Sequence, residues 1–390
     1  SLQLDLENFR NTLSDNNFVS FNYDMDLFGF GFKSGKNYFN YDLSLIVDTR
    51  FNFSKGIFDF ILDGSRAENG NIRLLDGNLL ELDAYICNAF GYSRQITDRL
   101  HVGAKAKLLL GLANIHTNDA NLEIQFDNSE RISAHGEIDI LTSNILGNIN
   151  INSLLTENAN VDFLMSQNIN EIISNGINNL GVSFDLGASY RLFNNLELSI
   201  SAVDIFSIFN WNTNTSQIRN NKPFEQIVFD GITSNIDSIE TNFENQLNSL
   251  VDSLTYALDI NSYALNSYST TLPAKLYFGA TYNFGKVNYL HALFSTKMKN
   301  NKIYDTHISL FYSLHTKLLS LSFGNMFRKE NLFNPSALIS LKIGPGQIYV
   351  GGNLHTNKDF NVADFNGFDL FFGLNFSIGK HNYWQKEKFN

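Results

Sequence analysis

From Leu180 to Phe206 the chain alternates between apolar and polar or small residues in two runs, joined at Phe193-Asn194-Asn195. In the first run Leu180, Val182, Phe184, Leu186, Ala188, Tyr190 and Leu192 share one side, and Gly181, Ser183, Asp185, Gly187, Ser189 and Arg191 share the other. Successive strand side chains face opposite sides of a sheet, so this run predicts a strand with one apolar face and one charged or small face. At about thirteen residues it is twice the usual globular strand and, when tilted, long enough to cross a bilayer. Residues 38–53 repeat the pattern, with Phe39, Tyr41, Leu43, Leu45, Val47, Phe51 and Phe53 alternating with Asn40, Asp42, Ser44, Asp48, Arg50 and Asn52. Residues 99–110 place Leu100, Val102, Ala104, Ala106 and Leu108 opposite Arg99, His101, Lys105 and Lys107. The last run has Phe368, Leu370, Phe372, Leu374, Phe376 and Ile378 outward, with Asp369, Gly373, Asn375 and Ser377 inward and Phe371 as the exception. Repeated alternation of this length predicts an all-β chain folded as a transmembrane antiparallel up-and-down β-barrel.

Strands are expected from Phe18, at 38–53, and then at 79–97, 99–115, 119–128, 130–141, 180–193, 195–206, 272–285, 286–299, 302–315, 316–328, 334–344, 346–356 and 366–380. Tight connections (33–37, 97–99, 128–130, 193–195, 285–286, 315–317 and 344–346) alternate with long ones (54–78, 142–179, 207–271 and 357–365). The long loops therefore all fall on one side. Bacterial barrels have short periplasmic turns and longer extracellular loops, which puts the tight side and the C-terminus in the periplasm. Fifteen predicted strands sit awkwardly with the even number of single-chain bacterial barrels. Either an upstream strand lies outside this chain or the count is one too high. If the hairpin 119–141 stands above the membrane, thirteen wall strands remain and one more makes fourteen; the expectation is about 14, within 14–16. The chain then divides into a short N-terminal segment (1–16, with Leu2, Leu6, Phe9 and Leu13 at helical spacing), one barrel domain (17–380) with insertions at 142–179 and 207–271, and a periplasmic tail (381–390).

Within the second insertion, residues 230–260 change period. Ile232, Ile236, Ile239, Phe243, Leu247, Leu250, Leu254 and Leu258 recur at spacings of three and four, which predicts one apolar helix face. Two readings stay open for it: a helix packed on or into its own barrel, or a docking helix for a partner.

Composition narrows the class. A mean hydropathy of −0.14 and the lack of any apolar run near eighteen residues exclude a transmembrane helix. A barrel needs none, because its backbone groups pair between strands. The single cysteine, Cys87, excludes an intrachain disulfide and a cysteine-rich metal site. The formal charge of −11 argues against nucleic acid as a partner. No signal peptide is visible at Ser1, and export implies that one has been removed. Gly29-Phe30-Gly31 lies on a strand and is no nucleotide motif, the eight histidines lack ligand spacing, and no catalytic motif appears. The expectation is no enzyme, no cofactor and no metal.

Alternation also assigns side chains. Leu43, Leu45, Val182, Phe184, Leu186, Phe372 and Leu374 are expected to face lipid. Asp42, Asp48, Arg50, Glu81, Asp83, His101, Lys105, Lys107, Asp185 and Arg191 are expected in the lumen. Their mixed signs predict a mutually satisfied network rather than an ion-selective ring.

Three runs resemble outer-membrane barrels of Bacteroidota in the broad FadL and PorV-like group: GVSFDLGASYRL…LELSISAVDIFSIFNW at 181–211, GYSRQITDRLHVGAKAKLLLGLANI at 91–115 and LKIGPGQIYVGGNL at 341–354. The resemblance covers about a third of the chain and carries no catalytic motif, and the start of the chain departs from the group's pattern. It implies a fourteen-strand barrel in the outer membrane of a Gram-negative bacterium. It also implies two roles. The first is a non-catalytic accessory or scaffold subunit of an envelope complex, in contact with outer-membrane lipid and with other outer-membrane proteins or lipoproteins. The alternative is a FadL-like channel for small hydrophobic molecules, which needs an apolar path and a kinked or interrupted wall strand. The acidic amphipathic insertions and the PorV-like resemblance favour the first, and the densely charged lumen expected here counts against the second.

Overall fold

Long period-two runs become long strands because a one-residue slip would turn every apolar side chain to the polar face. The computed structural model describes residues 6–63, 71–77, 79–126, 132–147, 174–222, 224–227, 255–256, 258–299, 302–329, 331–356 and 365–377. Its strands in chain order are β1 (Asn16–Ser34), β2 (Asn37–Ser54), β3 (Asn71–Asp76), β4 (Leu80–Gln95), β5 (Leu100–Phe126), β6 (Ile132–Asn144), β7 (Leu180–Phe193), β8 (Leu196–Trp211), β9 (Ser216–Asn220), β10 (Phe224–Ile227), β11 (Ile260–Ala264), β12 (Tyr268–Thr270), β13 (Ala274–Asn283), β14 (Asn288–Lys299), β15 (Lys302–His315), β16 (Leu319–Arg328), β17 (Pro335–Ile343), β18 (Gly346–Thr356) and β19 (Phe365–Phe376). Two helices, α1 (Leu6–Thr12) and α2 (Gly56–Asp63), lie beside the start of the sheet. Among the described residues no helix is long and apolar enough to cross a membrane, which says nothing of crossing by strands.

All pairings are antiparallel. The wall runs β1-β2-β4-β5-β7-β8-β13-β14-β15-β16-β17-β18-β19, thirteen strands in up-and-down order. The sheet curls: Lys299 Nζ on β14 lies 3.4 Å from Glu81 Oε2 on β4, although β5, β7, β8 and β13 separate those strands along the wall. The first and last wall strands line the same cavity.

At one end, here the turn side, the wall strands are joined by short turns alone, including Ser34-Gly35-Lys36-Asn37 with Gly35 at φ 61°, whereas at the other end a short link such as that between Lys299 and Lys302 stands among longer ones. The opposite end, the loop side, carries the insertions. There β5 and β6 extend beyond the wall; β3 pairs onto β5, β9 and β10 pair onto β6, and β11 pairs onto β9. Ile115, Ala120, Ile138, Ile140 and Ile218 form a buried cluster among them.

Several expectations are corrected. The stretches 99–115 and 119–128 are one 27-residue strand, β5, with an irregularity between Thr117 and Asp119. A bulge inserts an extra residue and re-phases the alternation without ending the strand, so the break in period imitates a turn. The long connection 54–78 contains α2 and β3, and the insertion 207–271 contributes β9 to β12 as well as the end of β8. Most of the expected helix at 230–260, with Ile232, Ile236, Ile239, Phe243, Leu247, Leu250 and Leu254, lies outside the described residues. Leu258 is described and fully buried, so it is not on an exposed docking face. Asp259 follows with φ 50° and β11 starts at Ile260, which ends the helical period.

The outer face is apolar around the sheet. Val19, Phe21, Phe28 and Phe30 stand out from β1, Val182, Phe184 and Leu186 from β7, and Phe372 and Leu374 from β19, all exposed; Leu43 and Leu45 on the outer face of β2 are half-buried. In water each such large side chain forgoes about 1.5–3 kcal/mol of burial. Surrounding the face with hydrocarbon removes that cost. A lysine at Leu186 is therefore expected to lower stability by about 2 kcal/mol, within the range for basic residues on the lipid face of barrels. Lysine at Gly187, on the inner face, is expected to cost less. Folding into vesicles across a urea series measures both.

Candidate functional site

The inner face carries the polar half of each alternation, and the structure sorts it into layers. At the turn side lies a cavity of about 1150 Å³, lined on β1, β2, β4, β5, β7, β8 and β19. His101 and Lys105 border it, and Lys105 Nζ is 2.7 Å from Asp42 Oδ2, which also accepts from Asn40 Nδ2 at 2.6 Å.

Above the cavity four adjacent strands are tied by charge. Lys107 on β5 donates to Asp185 Oδ1 on β7 and to Asp204 Oδ1 on β8, each at 2.8 Å. Lys275 on β13 reaches Asp204 Oδ2 at 3.3 Å, and Ser183 Oγ donates to Asp204 at 3.3 Å. The Asp204 backbone N–H donates to Asp185 Oδ1 at 3.0 Å. Lys107, Asp185 and Asp204 are largely buried, so each charge depends on its partners rather than on water.

This cluster sits where the wall is irregular. Strand β8 pairs with β13 as far as Val203 and resumes with β12 at Phe209, which leaves Asp204 to Ile208 without a ladder on that side. Asp204 and Phe206 have φ values of 58° and 52°, and the β7–β8 register shifts between Val182 and Leu186. Left-handed backbone at residues other than glycine costs about 1–3 kcal/mol each and persists only where the surroundings hold it. Ser207 Oγ holds part of the break by accepting from Leu272 N–H at 2.9 Å and donating to Leu272 O at 3.1 Å. Phe206 projects outward, 80% exposed.

Behind the break the lumen turns aromatic. Phe209 and Trp211 stack with centroids 4.4 Å apart, Tyr85 meets Phe209 edge-on at 5.7 Å, and Leu272 and Cys87 complete the buried group. A Cβ at Gly111 would clash with the edge of the Trp211 ring, so the glycine admits the indole against the wall. Trp211 Nε1 donates to Thr270 Oγ1 at 2.9 Å. Tyr268 OH donates to Asn114 Oδ1 at 2.7 Å, and Asn114 Nδ2 donates to Asp83 Oδ1 at 2.7 Å. Next to this layer Glu81 Oε2 meets His116 Nδ1 at 2.9 Å as well as Lys299.

The ten residues expected in the lumen thus fall into separate groups rather than one network. Asp42 and Lys105 pair, Lys107 and Asp185 share the central cluster, and Glu81 and Asp83 hold the upper one. Asp48 lies opposite Asp83 on the inner face, Arg50 lies over the Phe18 ring at 4.0 Å, His101 lines the cavity, and Arg191 is registered with Glu197. The alternation missed Asp204, Lys275, Lys299, Asn114, His116 and the Phe209–Trp211 stack. Among the described residues no group of His, Cys, Asp and Glu is arranged to hold a metal.

A family model described as a family of unknown function, DUF5723, matches residues 2–353. No curated protein matches the sequence. Among solved structures, the toluene transporter TbuX of Ralstonia pickettii aligns at 8% identity and a TM-score of 0.42, covering 89% of this chain and 78% of its own. The toluene transporter TodX of Pseudomonas putida aligns at 10% identity and a TM-score of 0.42, covering 92% and 86%. Identities and scores this low give the comparison no weight for function.

Proposed function

The chain belongs to the DUF5723 family of unknown function, and we propose that it is an outer-membrane β-barrel that passes small apolar molecules through an interruption in its wall. The observation that carries this reading is the break in β8 from Asp204 to Ile208, placed between an outward Phe206 and the inward Phe209, Trp211 and Leu272. Outside the break is hydrocarbon; inside it is an aromatic surface. A molecule such as a monoaromatic hydrocarbon meets apolar side chains along that line, while the charged groups of Lys107, Asp185, Asp204 and Lys275 satisfy one another beside it. Their mutual pairing removes the sequence-level objection that a charged lumen excludes apolar cargo. In this reading the protein catalyses nothing, the turns face the periplasm and the insertions face outward. The competing role, an accessory subunit of an envelope complex, rests mainly on an insertion outside the described residues.

The chain has two tryptophans. With Trp384→Phe, Trp211 becomes the sole indole and reports on the aromatic layer. Bromobenzene, a heavy-atom quencher, is expected to quench it saturably in the detergent-purified protein, with toluene relieving the quenching by competition. Quenching that rises linearly and is indifferent to toluene would sink the proposal.

A further inference from the structure

The turn side carries a rim of positive charge on an acidic protein. Among the described residues six turns join wall strands there: β1–β2, β4–β5, β7–β8, β13–β14, β15–β16 and β17–β18. Each carries a base. Lys33 and Lys36 stand at the first turn, Arg94 and Arg99 at the second, and Arg191 at the third. Lys286, Lys317 and Lys342 stand at the remaining three. Against these eight cations the stretches 33–37, 94–100, 191–197, 283–288, 315–319 and 342–346 hold two anions, Asp98 and Glu197, although the whole chain has 39 acidic and 28 basic side chains. Arg191 and Lys342 are half-buried, and the other six bases are exposed.

Beside these bases the apolar outer face ends in aromatic rows. Phe32, Phe39 and Tyr92 run across β1, β2 and β4 with successive ring centroids 5.3 and 5.2 Å apart. Phe284, Tyr312 and Phe323 run from the β13–β14 turn across β15 and β16 at 6.1 and 5.1 Å. Leu318 and Ile343, next in sequence to Lys317 and Lys342, are 67% and 70% exposed. Aromatic belts on a barrel mark the boundary between hydrocarbon and head groups. Bases at the turns just beyond the belt therefore lie at the depth of the lipid phosphates, with flexible stems that can run along the apolar edge. We propose that the turn-side rim binds the head groups of anionic phospholipids, of the phosphatidylglycerol class, in the leaflet that surrounds it. The arrangement decides against other occupants. A soluble acidic protein would meet the bases but leave the apolar side chains of the outer face beside them in water. A second copy in the same membrane would bring an equally basic rim to the same level, and like charges repel. Bases on every turn around the wall match a partner that encircles the barrel, as a lipid leaflet does.

This inference rests on the barrel reading, with the turns towards the periplasm, but not on what the barrel carries. Folded protein, immobilised in a non-ionic detergent, is washed with mixed micelles holding equal amounts of phosphatidylglycerol and phosphatidylcholine. The two lipids share the phosphate and differ in net charge. Phosphatidylglycerol is expected to be retained about tenfold over phosphatidylcholine. Glutamine at the six exposed bases (Lys33, Lys36, Arg94, Arg99, Lys286 and Lys317) is expected to bring the ratio to about twofold or less, in protein that keeps its heat-resistant gel band. Lys302→Gln with Lys329→Gln, at two exposed bases on the loop side, is expected to leave the ratio unchanged. Salt repeats the test without any substitution: the wild-type ratio is expected to fall towards one at about 1 M, where charges are screened within about 3 Å. A wild-type ratio near one, a ratio that survives the six substitutions or the salt, or an equal loss in the loop-side variant would each overturn the proposal. The leaflet is tested in cells. In a Cys87→Ala background, Asn195→Cys in the third turn is expected to resist a membrane-impermeant maleimide in intact cells and to react once the outer membrane is permeabilised. Reaction in intact cells would set the rim among lipopolysaccharide phosphates and overturn the inference. None of these outcomes alters the bromobenzene result, which reads the cargo alone.

Discussion

Alanine at Asp204 is expected to lower the stability of the folded barrel by about 3 kcal/mol, the lower end of the range for breaking a buried ion pair. The carboxylate accepts from Lys107 at 2.8 Å, from Lys275 at 3.3 Å and from Ser183 at 3.3 Å. Without it Lys275 loses its acceptor, while Lys107 keeps Asp185 at 2.8 Å, which limits the loss. The backbone adds to the effect. Asp204 has φ 58°, and alanine tolerates that region less well than aspartate does. Asparagine retains the tolerance and one acceptor oxygen but loses the charge and the second acceptor, so Asp204→Asn is expected to fall between the wild type and Asp204→Ala. Urea-dependent folding into vesicles, followed by the heat-resistant gel band, gives the order of the three. Equal stability of all three would show that the cluster does not hold the wall at the break.

Alanine at Trp211 is expected to have a comparable or larger effect. The indole is fully buried and stacked on Phe209, and its ring occupies the space that Gly111 leaves. Large aromatic to alanine changes in cores cost about 3–5 kcal/mol, from lost burial plus the cavity left behind. Here the cavity matters for function as well, since it would lie in the aromatic layer beside the wall break. Trp211→Ala is expected to weaken the competition by toluene at least tenfold in a version carrying a reporter elsewhere in the layer, such as Tyr268→Trp. Trp211→Phe keeps a ring in place and is expected to retain most of both properties. If alanine and phenylalanine behave alike, Trp211 fills space without shaping the apolar site.

The wall was legible in the sequence and its exceptions were not. Phase alone placed Val182, Phe184 and Leu186 opposite Ser183 and Asp185, and the structure has the same two faces on β7. Asp204 shows where that reasoning fails. Counting by twos from Leu196, Leu198, Ile200 and Ala202 assigns Asp204 to the lipid face, but the positive φ at Asp204 and Phe206 re-phases β8 and turns the carboxylate inward. An aspartate in an apolar phase was itself the available signal of a bulge, because an unpaired carboxylate facing lipid is strongly disfavoured. Phe209 and Trp211 were hidden differently. They lie on the inner phase, where polar residues were expected, and the run was ended at Phe206, before reaching them. The partners that came from distant strands, Lys275 and Lys299, had no local signature at all. Their positions follow from the curl of the sheet, which the order of strands determines and the alternation does not.

Uptake of labelled naphthalene by Gram-negative cells with an intact lipopolysaccharide layer tests the transport claim most directly. Initial rates are compared in cells that do and do not produce the protein, with glucose as a polar solute of similar size. The protein is expected to raise the naphthalene rate several-fold and to leave the glucose rate unchanged. Equal acceleration of both solutes would make it a water-filled pore, and acceleration of neither would contradict the claim that its wall passes apolar molecules.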